Sequence, residues 1–390
     1  MTGSSSGSVQ LFDTYFLGGF ECSSHRRKDG RRLDLLSATF HDVLARKDYL
    51  ALQAHDITAV RDGVRWHLIE RTAGRYDWSS FLPMLHAARD TGTQVIWDLC
   101  HYGWPDDIDI WEPEFVERFA QFAAAVACLV RQETDQDPLY CPVNEISFWA
   151  WAGGDMKLFN PGTTRRGMEL KTQLVRASVA ATRAIRAEDP RASIVHVDPV
   201  IHVVPRSTRN RRQAEHARQA QFEAWDMIGG ALHEDPRGGA DCLDIIGVNF
   251  YSDNQWVLNG PTLYRGDPRY KPFRDILADV WQRYGRPLFV AETGAEDEHR
   301  APWLRYVCDE VFAAVQAGVP VGGICLYPIT DYPGWADERH CRSGLLGVPA
   351  AQGDRDVHTD LASELAVQQR RFHELLSSVS MLPENMRAAG

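Results

Sequence analysis

Two short apolar runs of this chain end in a carboxylate. PLYCPVNE (138–145) closes on Asn144 and Glu145, and PLFVAETG (287–294) carries Glu292 near its end. Each has Val, Leu, Phe or Tyr through its middle and a proline at its start, the pattern of a strand buried on both faces. A buried strand can finish on a charged group only where it opens onto water, a partner or a ligand, because an unpaired buried carboxylate is costly. If both strands belong to one parallel barrel, both glutamates emerge at its C-terminal rim, where such barrels keep their chemistry. Two carboxyls across a cleft are suited to glycoside cleavage. In the retaining case one donates a proton to the leaving oxygen and the other attacks the anomeric carbon, from about 5–5.5 Å apart. Holding one protonated and one ionised at the same pH requires that their environments differ.

The rest of the chain supplies elements to position them. Strand-like runs occur near 15–22, 58–65, 94–100, 138–144, 193–198, 243–251, 287–292 and 321–328. Between them lie stretches with helical spacing, such as Leu44 to Leu52, Phe115 to Val130, Leu174 to Ile185, Ile276 to Trp281 and Leu304 to Val315. Alternating strands and helices in that number predict a single (β/α)8 barrel over 14–379 with extended rim loops. Segments 146–170 and 252–275 read as rim loops. Residues 1–13 read as an extended or disordered segment, and 380–390 as a frayed tail. No GxGxxG or GxxxxGK[ST] string follows a strand, so a nucleotide-binding sheet is the weaker reading.

Composition narrows the partners. The 390 residues are 44% hydrophobic, enough for a large core, and carry a formal charge of -11, which argues against nucleic acid or an anionic membrane surface. The basic segments 26–32 and 205–212 read as solvated turns. The twelve tryptophans exceed what the core requires and suit the flat faces of sugars. The eight cysteines are scattered without a CxxC pair, and the N-terminal stretch has no basic start followed by an apolar run. The expectation is a disulfide-free cytoplasmic protein. No HExxH spacing suggests a metal, and no cofactor is expected.

The order of short motifs is more specific. FLGGFECSS (16–24), VRDGVRW (60–66), DLCHYGWP (98–105), VNE (143–145), IGVNFYS (246–252), VAETGA (290–295) and GICLYPITDYPGW (323–335) follow one another along nearly the whole chain. In this order they resemble glycoside hydrolase family one, within the clan of retaining glycosidases on β/α barrels. The resemblance implies catalytic roles for Glu145 and Glu292. It implies sugar or site contacts from Arg61, His101, Asn144, Asn249, Tyr251, Tyr327 and Trp335. Arg61 and Tyr251 would hold Glu292 ionised, so Glu145 is assigned as acid/base and Glu292 as nucleophile. Arg65 is a second candidate on the strand of Arg61, and Trp104 and Trp151 are candidate aromatics in the rim loops.

The departures from the family pattern concern the sugar. Where the family carries a glutamine after its first strand and a glutamate before its last tryptophan, this chain has Arg26 and Gly334. Ile146 stands where a proline is usual, and Tyr327 where a tryptophan is usual. Arg26 either greets an anionic sugar, such as a uronide or a phosphorylated glycoside, or belongs to a solvated loop. The expected function is a retaining β-glycosidase acting on a carbohydrate or glycoside. The alternatives are a transglycosidase using the same glycosyl-enzyme and a catalytically silent sugar-binding barrel.

Overall fold

The structure is a computed structural model that describes residues 10–230 and 238–380. The expectations for 1–9 and 381–390 lie outside the described residues. Eight parallel strands form one closed barrel: β1 Phe16–Gly19, β2 Ala59–Gly63, β3 Gln94–Asp98, β4 Leu139–Cys141, β5 Ser193–Pro199, β6 Ile245–Asn249, β7 Leu288–Thr293 and β8 Val321–Leu326. Each strand pairs with its sequence neighbours, and β8 closes on β1 with Phe16 opposite Ile324. All eight lie within the runs read from sequence or within one residue of them.

The strands are apolar on both faces because each face meets a different core. Leu17, Ala59, Ile96, Leu139, Val195, Ile245, Phe289 and Cys325 fill the barrel. Phe12 joins them, its ring 4.8 Å from that of Phe289. Alternate residues, such as Val60, Trp97, Tyr140, Ile246 and Val290, pack outward against the helices. Among the described residues, the α-helices of six residues or more are α1 His41–Gln53, α2 Leu82–Thr91, α3 Pro113–Glu133, α4 Gly167–Glu188, α5 Arg211–Gln219, α6 Glu223–Ile228, α7 Phe273–Tyr284, α8 Arg300–Gln316 and α9 Thr359–Ser380. In α3 the proline sits in the first turn, where its missing N–H costs nothing, and Phe115, Phe119, Phe122, Val126 and Val130 form the buried stripe.

Two rim segments are more ordered than expected. Segment 146–170 begins with a helical turn, Ile146–Trp149, which continues as a π-helical stretch, Ala150–Asp155. A Cβ at Gly153 would fall 2.6 Å from the carbonyl oxygen of Asn160, so the glycine permits close packing. In segment 252–275, Gln255–Val257 pairs in parallel with His202–Val204. Of the basic segment 205–212, Thr208–Asn210 is a 3₁₀ turn leading into α5, while 26–32 is a tight hairpin with Arg26 bridged to Arg32. Among the described residues no helix is long and apolar enough to cross a membrane.

Candidate active site

At the C-terminal rim the strands open into a cleft of about 1920 Å³ whose walls include Glu21, His101, Tyr102, Glu145, Tyr251 and Glu292. Glu145 and Glu292 reach it by different backbone devices. Glu145 follows β4 in the left-handed region, φ 46°, and its N–H donates to the carbonyl of Val197 at 3.0 Å. Such a conformation is uncommon for a side chain other than glycine and is held here by the strand on one side and the Ile146–Trp149 turn on the other. Glu292 depends on an irregularity in β7. Val248 pairs with Val290, but the next residue, Asn249, pairs with Glu292, so β7 carries one extra residue. Ala291 and Glu292 therefore both face inward, while Thr293 turns outward to accept from the indole N–H of Trp303 at 2.8 Å. Without that bulge the alternation would aim Glu292 at the helices.

The two carboxyls have different partners. Glu292 accepts from Arg61 Nη1 at 3.0 Å and from the Tyr251 hydroxyl at 3.0 Å. Arg61, fully buried, also donates to the Ala291 carbonyl at the bulge (3.0 Å), to Asp98 (2.6 Å) and to Asn144 Oδ1 (3.0 Å). Glu145 accepts from the Tyr102 hydroxyl at 2.5 Å and from Asn249 Nδ2 at 2.8 Å, both neutral donors. Asn144 Nδ2 lies 3.0 Å from His101 Nε2 and 3.2 Å from the Tyr102 oxygen.

These partners set the proton affinities. Burial, reinforced by the charge of Glu292, pushes Glu145 up to about 8. Burial also raises Glu292, but Arg61 and then His101 pull against it. Burial pulls His101 down, yet its hydrogen bond to Asp98 and the charge of Glu21 outweigh this and leave it raised. Beneath Glu145, Asp198 accepts from the Ser147 N–H through both oxygens, at 3.0 and 3.1 Å, and burial raises it to about 7. Both carboxyls are therefore raised, Glu292 against the pull of Arg61.

Most residues singled out from the sequence converge here. His101, Tyr251, Tyr327 and Trp335 line the cleft, and Arg61, Asn144 and Asn249 form its buried support. Asn144 was expected to meet a sugar hydroxyl; its amide is already shared among His101, Tyr102 and Arg61. Arg26 is a correction. Its guanidinium pairs with Asp106 and donates to the Gly30 carbonyl at 2.9 Å, outside the cleft, because the hairpin turns it back onto its own loop. Arg65 pairs with Asp34 (3.0 Å) and Asp42 (2.8 Å), and Trp104 bonds to the Ile108 carbonyl (2.9 Å), both away from the cleft, whereas Trp151 lines it.

Three site residues were passed over. Tyr102 lies beside His101 in an already quoted motif. Asp98 shares the inward phase of Ile96 on β3, and Glu21 extends the inward phase of Leu17 and Gly19 on β1. Their phase was available as a signal.

Among the described residues, Cys22, Asp98 and His101 are the one group of three metal-type ligands whose donor atoms lie within 4.8 Å of one another. Their chemistry does not fit a cation. Burial keeps the Cys22 thiol protonated, Cys22 Sγ lies 3.1 Å from His101 Nδ1, and Asp98 is already paired with Arg61.

No family model matches the chain. Over 342 residues it is 25% identical to the β-glucosidase-like SFR2, chloroplastic, of Oryza sativa subsp. japonica, covering 78% of this chain and 48% of that protein. Over 150 residues it is 29% identical to the galactolipid galactosyltransferase SFR2, chloroplastic, of Arabidopsis thaliana, covering 35% of this chain and 23% of that protein. The matches thus span about half or less of those relatives' lengths. Among solved structures, the family 1 β-glucosidase from Thermotoga maritima superposes with a TM-score of 0.75 at 17% identity, over 92% of this chain and 99% of that one. In fold, the chain is a divergent, glycoside hydrolase family one-like β/α barrel.

Proposed function

We propose that the protein is a retaining β-glycosidase, with Glu145 as acid/base and Glu292 as nucleophile. The observation that carries this reading is the contrast in partners: Glu292 is held by a buried arginine and a phenol, and Glu145 by neutral donors only. In the first step Glu292 attacks the anomeric carbon while protonated Glu145 gives its proton to the departing oxygen. In the second, Glu145, now ionised, takes a proton from water as that water displaces Glu292. The sugar and the aglycone are not specified by this pair.

The test separates the two roles. Glu292→Ala should lose turnover of aryl β-glycosides and regain it with azide, giving a product of inverted configuration, because the anion occupies the space of the lost carboxylate. Glu145→Ala should keep most of its kcat/KM, which reports the first step, on aryl glycosides whose leaving groups need no proton. Equal losses on good and poor leaving groups, or no azide product, would overturn the assignment.

A second reading is transglycosylation, in which a sugar or alcohol intercepts the glycosyl-enzyme. It is favoured by the galactosyltransferase named among the relatives and by a cleft larger than a single sugar needs. Product analysis with and without an added alcohol or sugar acceptor distinguishes it: glycosyl transfer in preference to hydrolysis at low acceptor concentration supports this reading.

A further inference from the structure

We propose that Glu21 is the specificity-determining residue of the sugar subsite, and that the glycone it selects presents hydrogen-bond donors, hydroxyls or an ammonium, and not a carboxylate or phosphate. The inference rests on the glycosidase reading of the cleft and assigns its sugar class.

The position of Glu21 follows from strand phase. Leu17 faces the barrel interior, and so does Gly19, where a Cβ would fall 2.2 Å from the ring of Tyr327. Glu21 is next in that phase, and it lines the cleft while only 5% exposed. The small residue beneath it admits the Tyr327 ring, which brings phenol and carboxylate together. After burial, the charge of Glu21 is the foremost influence raising Tyr327, and it also raises Tyr332 and Tyr251.

Its hydrogen bonding is incomplete. Oε1 accepts from the N–H of Ser23 at 3.0 Å and from its hydroxyl at 2.5 Å, which fixes the carboxylate. Oε2 accepts nothing, and no cation pairs with Glu21, among the described residues. Among the described residues, three buried polar atoms of cleft-lining side chains are without a partner: the Tyr327 hydroxyl, the Trp335 Nε1 and the Ser147 hydroxyl. Buried groups of this kind are costly unless something completes them. An acceptor and unpartnered donors lining one cleft are the complement of a polyol, whose hydroxyls both give and accept.

The charge around the subsite opposes an anion. Seven acidic side chains line the cleft, the proposed acid Glu145 among them, against Lys171 and Arg265 as the permanent cations. Lys171 is spent on Glu223 at 2.6 Å, and Arg61 on Asp98 and Glu292. Arg26, the residue whose place in the sequence suggested an anionic sugar, is bound to Asp106. A sugar carboxylate or phosphate near Glu21 would face like charge in a desolvated site.

The experiment compares wild type, Glu21→Gln and Glu21→Ala on aryl β-glucoside, β-galactoside, 2-amino-2-deoxy-β-glucoside and β-glucuronide. It includes calorimetric Kd values for deoxynojirimycin, neutral gluconolactam and glucuronate. Wild type should favour a neutral or amino sugar over the glucuronide by about 100-fold or more, and Glu21→Ala should lose about 10- to 100-fold on the favoured ligand in both kcat/KM and Kd. Glu21→Gln, which keeps the shape, should narrow the gap to the glucuronide by about tenfold. It should keep most neutral-sugar binding if hydroxyls are the donors and lose deoxynojirimycin and amino-sugar binding selectively if an ammonium is. A preference for the glucuronide, or changes under twofold in both variants at unchanged Tm, would overturn the proposal. If no aryl glycoside turns over at all, the hydrolase reading fails, while the Kd values still decide the role of Glu21.

Discussion

At Glu145, the proposed acid, one hydroxyl bears on the proton affinity. The Tyr102 hydroxyl, 2.5 Å from Oε2, stabilises the ionised form and so holds the proton affinity below what burial and Glu292 would impose. With Glu145 as the acid, kcat/KM should fall on the alkaline side near pH 8. Tyr102→Phe removes a donor to the charged form, so the alkaline limb should move to higher pH, with activity below it reduced about tenfold. A pH profile of the variant checks this, and a limb that stays fixed or moves down would remove Tyr102 from the acid's control. The same residue illustrates what a sequence conceals. Glu145 and Glu292 could be found because a carboxylate at the end of an apolar strand is anomalous. Tyr102 is unremarkable in sequence and acquires its role from a left-handed turn at φ 67°. Arg26 presents the converse case: a cation beside the expected site, turned away by a hairpin whose pairing with Asp106 no strand pattern encodes.

The strands and most helices were legible because two-sided burial and helical spacing leave strong periodic traces, as in β4, β7 and α3. The bulge in β7 was not, since one added residue alters phase without altering composition, and the orientation of Glu292 depends on it. Nor was the way α1 is fastened to the barrel. His41 opens α1, is fully buried, and lies 2.8 Å from Asp48 on the same helix and 2.8 Å from Asp62 on β2. Arg355, from the hairpin before α9, donates to Asp48 at 2.7 and 2.9 Å, so the cluster joins three separate elements. Burial pulls His41 down, but Asp62 and Asp48 together raise it from 6.5 to about 9. A raised folded-state value means stability fully present below pH 6.5 and lost as pH rises through about 9, an effect of roughly 3 kcal/mol. Asp48 is lowered despite its burial, mainly through its hydrogen bonds to His41 and Arg355, so its contribution is present above about pH 4 and is lost in acid. Denaturant unfolding of wild type and His41→Gln at pH 6 and pH 9.5 should show a stability difference that is large at the lower pH and shrinks at the higher one. A difference independent of pH would mean that the histidine acts by packing alone, for instance through its stack on Phe20 at 3.5 Å.

For the whole molecule, the distribution of exposed apolar surface bears on how the second half of a glycoside would be held under the proposed function. Trp151, Met156, Met168 and Tyr264 are 49%, 52%, 56% and 64% exposed, and all four line the cleft. They come from the π-helical stretch after β4, its continuation into α4, and the segment between β6 and α7, so separate rim segments converge on the cleft. Large apolar side chains scattered over a surface need no explanation, but several gathered at the mouth of one cleft mark a binding surface. A single sugar fills only part of about 1920 Å³, which leaves room for an apolar aglycone along this rim. Octyl β-glycoside should therefore show a lower KM than methyl β-glycoside of the same sugar. Covering half-exposed side chains of this size contributes on the order of 1 kcal/mol each, so Trp151→Ala and Met168→Ala should each raise KM for the octyl substrate about fivefold. Because the rim grips ground state and transition state alike, kcat should stay unchanged and the methyl glycoside should be unaffected. Equal KM values for the two glycosides, or a loss confined to kcat, would assign these residues to packing or to movement of the rim rather than to the aglycone.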